Sequence, residues 1–225
     1  MTFAPFTKLA TRTIVLPERN IDTDQIIPAR FLTTTDREGL GQAAFADWRH
    51  GEDGPTDHPL NRADTTTHRV LVAGDNFGCG SSREHAAWAL LGFGVRAVVS
   101  TSFGDIFRSN SLKNGLLPVQ VSAETLAALT DQPGREVTID LQAQELRFGN
   151  HVTPFATEPF ARRCLLDGQD QLGALLGALP EIEAFEEAAA REGLGRERHH
   201  VVAEAQLPRF QVDRQLSARL GHQRL

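Results

Sequence analysis

Between Val70 and Phe93 the chain reads VLVAGDNFGCGSSREHAAWALLGF, and few folds accommodate that order. It is a buried strand, a glycine-rich turn and a helix. Val70-Leu71-Val72-Ala73 is the short apolar run that a strand covered on both faces needs. Gly74 ends it, and Gly78 and Gly80 permit backbone conformations that other residues resist. Ser81 or Ser82 is placed to cap the helix that follows. Ala86, Ala89, Leu90 and Phe93 then recur at i, i+3, i+4 and i+7, which gives that helix one apolar face.

Free backbone N–H groups at a helix start favour a negative charge, as does the positive end of the helix dipole. Arg83 adds a planar fork that matches a carboxylate or phosphate. Two readings follow. In one, the serines only cap the helix and Arg83 pairs with Glu84 or another surface acid. In the other, two glycines, two serines and an arginine within six residues, Gly78 to Arg83, form an anion pocket.

Length and composition narrow the field. A chain of 225 residues is long enough for a substantial core. With 40% hydrophobic and 23% charged residues it reads as a soluble globular protein. A net charge of −6 leaves no basic excess to neutralise phosphates, which argues against nucleic acid as a bulk partner. No apolar run approaches a membrane span, and the N-terminus carries no convincing signal peptide. Only Cys79 and Cys164 occur. Two cysteines supply neither a disulfide framework nor, alone, a four-cysteine zinc or iron–sulfur site, and a cytoplasmic location is expected.

Along the chain, Arg12 to Leu16 predicts a first strand, closed by Pro17. Asp22 and Asp24 flank Thr23 in an expected loop, where paired acids serve as caps and turn formers or orient a cationic partner. Gly39 to Trp48 is expected to be helical. Residues 50–67, rich in Gly, Pro, Asp and Thr, read as a long irregular insertion. Its histidines, His50 and His58, and His68 beside it match no metal spacing. Ala97–Ser100 and Leu116–Val121 predict buried strands around a helix that starts near Ser102 and ends at Gly115. Strand, helix, strand, helix, strand is the signature of parallel pairing, with ligands at the carboxyl ends of the strands. Ala123–Asp131 and Pro159–Asp167 predict helices, and residues 136–155 three further strands. Gln169 to Glu192 is mostly helix-forming, interrupted at Pro180. Beyond Gly193 the chain turns polar and basic, and 193–225 reads as a surface appendage.

Common fingerprints fail. Arg83 stands where a dinucleotide motif needs its third glycine, there is no phosphate-loop lysine, and Gly80-Ser81-Ser82-Arg83-Glu84 lacks the last glycine of a hydrolase elbow.

Three motifs together carry a resemblance: Asp22-Thr23-Asp24-Gln25-Ile26-Ile27-Pro28, Gly78-Cys79-Gly80-Ser81-Ser82-Arg83-Glu84-His85-Ala86 and Asn114-Gly115-Leu116-Leu117-Pro118. In this order they resemble the swivelling domain of the aconitase superfamily, and within it the small-subunit family of bacterial 3-isopropylmalate dehydratases. Phe45-x-Asp47-Trp48-Arg49 and Ser102-Phe103-x-Asp105-Ile106-Phe107 strengthen the likeness, which spans roughly residues 3 to 190. The resemblance implies an α/β fold, a swivelling β/β/α domain. Its central sheet is mostly parallel, flanked by helices, with additional mixed strands. The domain is expected over residues 1–192, with the C-terminal extension at 193–225.

The resemblance also implies a half-enzyme of leucine biosynthesis. This chain would bind no cofactor and hold no metal, while a separate large subunit carries a [4Fe-4S] cluster. Together they would interconvert 2-isopropylmalate and 3-isopropylmalate, hydroxy-dicarboxylates, by losing and regaining water. By motif position Ser81 resembles the proton-abstracting base and Asp24 an active-site aspartate that orients catalytic groups. Ser82 would hydrogen-bond in the same pocket and Arg83 would hold a substrate carboxylate. Arg30, Phe31, Leu32 and Thr33 fall in the segment that helps select the substrate. Phe31 and Leu32 suit an isopropyl group, and Thr33 has no charge for an extra carboxylate. Two alternatives stay open: a related hydro-lyase subunit acting on homoaconitate, citramalate or a dimethylmalate, and a non-catalytic anion-binding α/β module.

Overall fold

The computed structural model describes residues 2–32 and 37–191. The expected appendage at 193–225 therefore lies outside the described residues, as does Thr33. The chain divides into two compact units, residues 1–176 and residues 177–225.

Element order in the first unit is β1 (Lys8–Leu16), α1 (Thr23–Ile26), a 3-10 turn (Ala29–Phe31), α2 (Leu40–Ala43) and α3 (Ala46–Arg49). A small hairpin, β2 (His50–Gly51) and β3 (Gly54–Pro55), and one helical turn, α4 (Pro59–Arg62), lie in the insertion. Then come β4 (His68–Ala73), α5 (Glu84–Phe93), β5 (Ala97–Ser100), α6 (Asp105–Asn114), β6 (Leu117–Gln120) and α7 (Ala123–Thr130). The unit closes with β7 (Glu136–Asp140), β8 (Glu145–Phe148), β9 (His151–Pro154) and α8 (Pro159–Asp167), and α9 (Gln171–Gly177) runs to its boundary. In the second unit the described helix is α10 (Leu179–Arg191).

One seven-stranded sheet, in the order β6-β5-β4-β1-β7-β8-β9, organises the first unit. The pairs β6–β5, β5–β4 and β4–β1 are parallel, and β1–β7, β7–β8 and β8–β9 are antiparallel. β1 is the seam between the two halves. The parallel half is covered on both faces, because successive side chains of a strand point to opposite sides. Leu71 and Ala73 of β4 enter one core with Ile14, Leu16 and Val98, while Val70 and Val72 enter the other with Val15, Ala97 and Val99. Helix α5 covers the first core with Ala86, Ala89 and Leu90. Leu129 of α7 and Leu165 of α8 cover the second. In the antiparallel half Val137, Ile139, Leu146 and Phe148 face the second core, and the alternate residues are more exposed.

Several expectations are corrected in detail. The helix expected over Gly39–Trp48 is two single turns. Ala44 leaves the helical region and Phe45, fully buried, adopts φ +51°. The break lets α2 lie against α5: a Cβ on Gly41 would fall 2.2 Å from the carbonyl carbon of Gly92, so only glycine permits the contact. Asp22-x-Asp24 is not a loop but the start of α1. Asp22 is its N-cap, accepting from Gln25 N–H at 2.8 Å while the Gln25 side chain accepts from Asp22 N–H at 2.8 Å. No helix among the described residues is long and apolar enough to cross a membrane.

Candidate active site

Three loops leave the carboxyl ends of neighbouring parallel strands and interlock. Pro17–Asp22 follows β1, Gly74–Arg83 follows β4, and Thr101–Gly104 follows β5. The middle loop is stitched to both sides by its backbone. On one side Asn20 N–H donates to Asp75 O at 2.8 Å, Gly78 N–H to Ile21 O at 2.7 Å and Thr23 N–H to Cys79 O at 3.0 Å. On the other Phe77 N–H donates to Ser102 O at 3.1 Å and Gly104 N–H to Phe77 O at 2.9 Å. The glycines make this possible. Gly78 lies at φ +73°, and a Cβ there would fall 2.2 Å from Phe107 Cγ.

A carboxylate ties the same three loops together. Asp75 Oδ1 accepts from Thr101 Oγ1 at 2.8 Å and Ser102 Oγ at 2.6 Å, and its Oδ2 accepts from Arg19 Nη2 at 3.1 Å. These donors, the Ser102 hydroxyl above all, hold the Asp75 carboxyl down to about 2. Asp75 was not singled out by the sequence, because nothing in the chain order brings Thr101 and Ser102 to it.

The cap geometry at α5 departs from expectation. The helix starts at Glu84 with Arg83 as its N-cap, and no side chain caps it. Neither Ser81 nor Ser82 is the cap, because both precede the N-cap position. They sit exposed on the turn, and their hydroxyls make no hydrogen bond to another described residue. The Ser81 carbonyl is held instead, accepting from Thr23 Oγ1 at 2.9 Å. This bond, with the backbone bridge between Asp22 and Cys79, brings the first two motifs against each other.

Arg83 pairs with Asp24 rather than Glu84. Its Nη1 donates to Asp24 Oδ1 and, at 3.4 Å, to Ile27 O. The Arg83 side chain is 16% exposed and that of Asp24 51%. The ion pair thus has a sheltered cation and an accessible anion, an arrangement in which a second carboxylate can compete for the guanidinium.

The remaining candidates lie on the turn after α1. Arg30 donates to Asp47 of α3 and lies 4.7 Å above the Phe31 ring. The Arg30 hydrogen bond holds the Asp47 carboxyl below its ordinary range. Phe31 and Leu32 are half-buried and pack on the first core. Burial, with Asp22 as a smaller cause, pushes the Cys79 thiol up. Its Sγ donates to Asn20 O at 3.5 Å. Cys164 is 2% exposed in α8. Among the described residues no group of three or more His, Cys, Asp and Glu is placed to hold a metal ion.

A mixed sheet with an arginine-bearing, serine-rich turn at its parallel edge is the architecture of an aconitase-type swivelling domain. The chain belongs to the Aconitase C-terminal domain family, which matches residues 3–124. Its relatives there carry a more particular name. The 3-isopropylmalate dehydratase small subunit of Anaeromyxobacter sp. (strain K) is 53% identical over 185 residues, covering 81% of this chain and 97% of the relative. The protein of that name from Herpetosiphon aurantiacus is 48% identical over 190 residues, covering 83% and 95%. The crystal structure of a 3-isopropylmalate dehydratase from Methanocaldococcus jannaschii superposes with a TM-score of 0.60 at 29% identity, covering 81% of this chain and 99% of that one.

Proposed function

We propose that this chain is the small subunit of a 3-isopropylmalate dehydratase, a hydro-lyase that interconverts 2-isopropylmalate and 3-isopropylmalate in leucine biosynthesis. The observation that carries the reading is the 53% identity spanning 97% of a relative of that name. The grouping of Ser81, Ser82, Arg83 and Asp24 at one edge of the sheet supports it. The working enzyme needs a large subunit, and we place the complex in the cytoplasm.

The partner would carry the [4Fe-4S] cluster. Two cysteines, one in a turn and one buried in a helix, do not make a four-cysteine cluster site on this chain. When bound in the partner, the cluster supplies Lewis acidity toward the substrate hydroxyl and carboxylate.

This chain's residues handle the proton and the other carboxylate. The proton to be removed is on the carbon beside a carboxylate, so negative charge grows on that carboxylate as the bond breaks. Arg83 is the donor aimed at it, and its planar fork takes two oxygens at once. Asp24 holds the guanidinium in register until substrate arrives, then orients it from the side. Ser81 accepts the proton at Oγ, and Ser82 donates a hydrogen bond in the same turn. A serine oxyanion is a competent base only where cationic and N–H donors surround it, and Arg83 and the start of α5 stand beside it. Phe31 and Leu32 offer an apolar wall to the isopropyl group, with Arg30 and Thr33 completing the selecting segment.

Reconstitution tests the reading. The chain is mixed anaerobically with a cluster-loaded large subunit, and the unsaturated intermediate is followed with 2-isopropylmalate and with homocitrate. Turnover of 2-isopropylmalate by the mixture, and by neither chain alone, is expected. Turnover mainly of homocitrate would overturn the substrate assignment, and silence with a competent large subunit would overturn the pairing.

A further inference from the structure

Asn114, the last residue of α6, is a polar residue only 5% exposed, and four hydrogen bonds meet on its side chain. Its Oδ1 accepts from Arg37 Nη2 and from Trp88 Nε1, each at 2.8 Å. Its Nδ2 donates to Glu84 Oε1 and to Asn110 O, each at 2.8 Å. Arginine and indole can only donate, and a carboxylate and a carbonyl can only accept, so the amide has one possible orientation and no spare capacity. A fully satisfied buried amide of this kind is a rigid joint.

The groups it joins lie on different segments of the chain, one of them next to the candidate site. Glu84 opens α5 directly after Arg83. Arg37 lies beyond residues 33–36, on the chain that enters α2, and its guanidinium stacks 4.6 Å above the Trp88 ring. Helix termination does not need the Asn114 side chain. Gly115, at φ +87°, ends α6, with its N–H directed to Leu112 O and Ser111 O. Three of the four bonds therefore reach neighbours of α6, and the fourth, to Asn110 O, stays within the helix.

We propose that Asn114 is a positioning residue of the substrate site: by holding Glu84 and Arg37 on one amide, it sets the spacing between the Arg83 turn and the chain entering α2. This inference rests on the proposed function. A positioning defect loosens substrate in the assembled enzyme and raises KM. A merely structural defect lowers the amount of active complex, and so the apparent kcat, with KM unchanged.

The test uses the full chain reconstituted with its cluster-loaded large subunit. Asn114→Asp keeps the acceptor for Arg37 and Trp88 but sets a carboxylate against Glu84 and against the Asn110 carbonyl. Its KM for 2-isopropylmalate should rise by about 10- to 100-fold. Arg37→Leu, which cuts the other arm, should raise KM in the same direction. Glu84→Gln alone keeps the acceptor that Asn114 uses and should change KM by less than about 3-fold. In the double variant Asn114→Asp/Glu84→Gln the glutamine amide can donate to the new carboxylate, and KM should recover in part, the Asn110 carbonyl still facing an acceptor. Unchanged KM in both Asn114→Asp and Arg37→Leu, or no recovery in the double variant, would overturn the inference.

If the wild-type complex fails to turn over 2-isopropylmalate, the proposed function falls on that control alone. The positioning claim is then decided by hydrogen exchange at Ala86, whose N–H donates to Arg83 O at 3.3 Å. Exchange there should speed up about 10-fold in Asn114→Asp and slow again in the double variant, and equal rates in all forms would reject the claim.

Discussion

At the scale of single residues, Arg83 shows how burial and pairing divide the work of one ion pair. Its guanidinium is sheltered while Asp24, its partner, faces solvent. A lysine at position 83 would keep the charge but lose the fork, so it could hold Asp24 or a substrate oxygen but not two oxygens in a plane. Arg83→Lys should lower kcat/KM by about 100-fold while leaving the fold and the affinity for the large subunit in place. Steady-state kinetics beside size-exclusion chromatography of the complex checks this. Undiminished turnover would remove Arg83 from the substrate site. Arg30 makes a contrasting case: its bond to Asp47 ties α3 to the turn after α1, and both partners face solvent, so that neither charge is sheltered.

At the scale of elements, the loops after β1, β4 and β5 behave as one unit because Asp75 and the loop backbone join them. The carboxyl of Asp75 sits at about 2, below its ordinary 3.8, so the folded state favours its charged form. Its contribution to stability is complete above the ordinary value and is lost as pH falls from about 4 toward 2. Denaturant midpoints of the wild-type chain should therefore drop across that window. Asp75→Asn should be less stable at pH 7 and flatter between pH 4 and 2. Parallel pH profiles for the two proteins would show that Asp75 is not the group responsible. Helix α5 tells a related story. Its apolar stripe was evident from Ala86, Ala89 and Leu90, yet its N-cap is Arg83 and not a serine. The turn needs its serines outside the helix, and the Ser81 carbonyl is held there by Thr23 from the other motif.

At the scale of the whole first unit, one sheet is shared by two cores, so neither core can be lost alone. Trp48 and Trp88 both pack on the first core. Leu146, fully buried, lies in the second. Urea unfolding followed by tryptophan fluorescence and by far-ultraviolet circular dichroism should trace one coincident transition. Leu146→Ala should shift both curves together, with a loss of about 2–5 kcal/mol. A shift in the dichroism alone would mean that the two faces of the sheet unfold separately.

The strands of the seven-stranded sheet and the longer helices were legible in the chain because local signals decide them, whereas the single turns between Asp22 and Arg62 were not. Val70–Ala73 and Ala97–Ser100 are too apolar to lie anywhere but between covered faces. Gly74 and Gly115 end their elements where the residue pattern places the stops. The motifs around Asp24, Ser81–Arg83 and Asn114 were visible as residue types with a chemistry and a family likeness. Their contacts were not visible. The seam at β1, parallel to β4 and antiparallel to β7, arises from pairing across sequence separations that no local pattern encodes. The pairing of Arg83 with Asp24, 59 positions away, and the meeting of Arg37, Glu84 and Trp88 on Asn114 depend on which loops the packed sheet brings to one edge. Propensity and periodicity act over a few residues, and so the sequence by itself determined the elements and the chemistry they carry. Burial of both faces of the sheet acts over the whole chain, and so only the tertiary structure decided which of those groups touch.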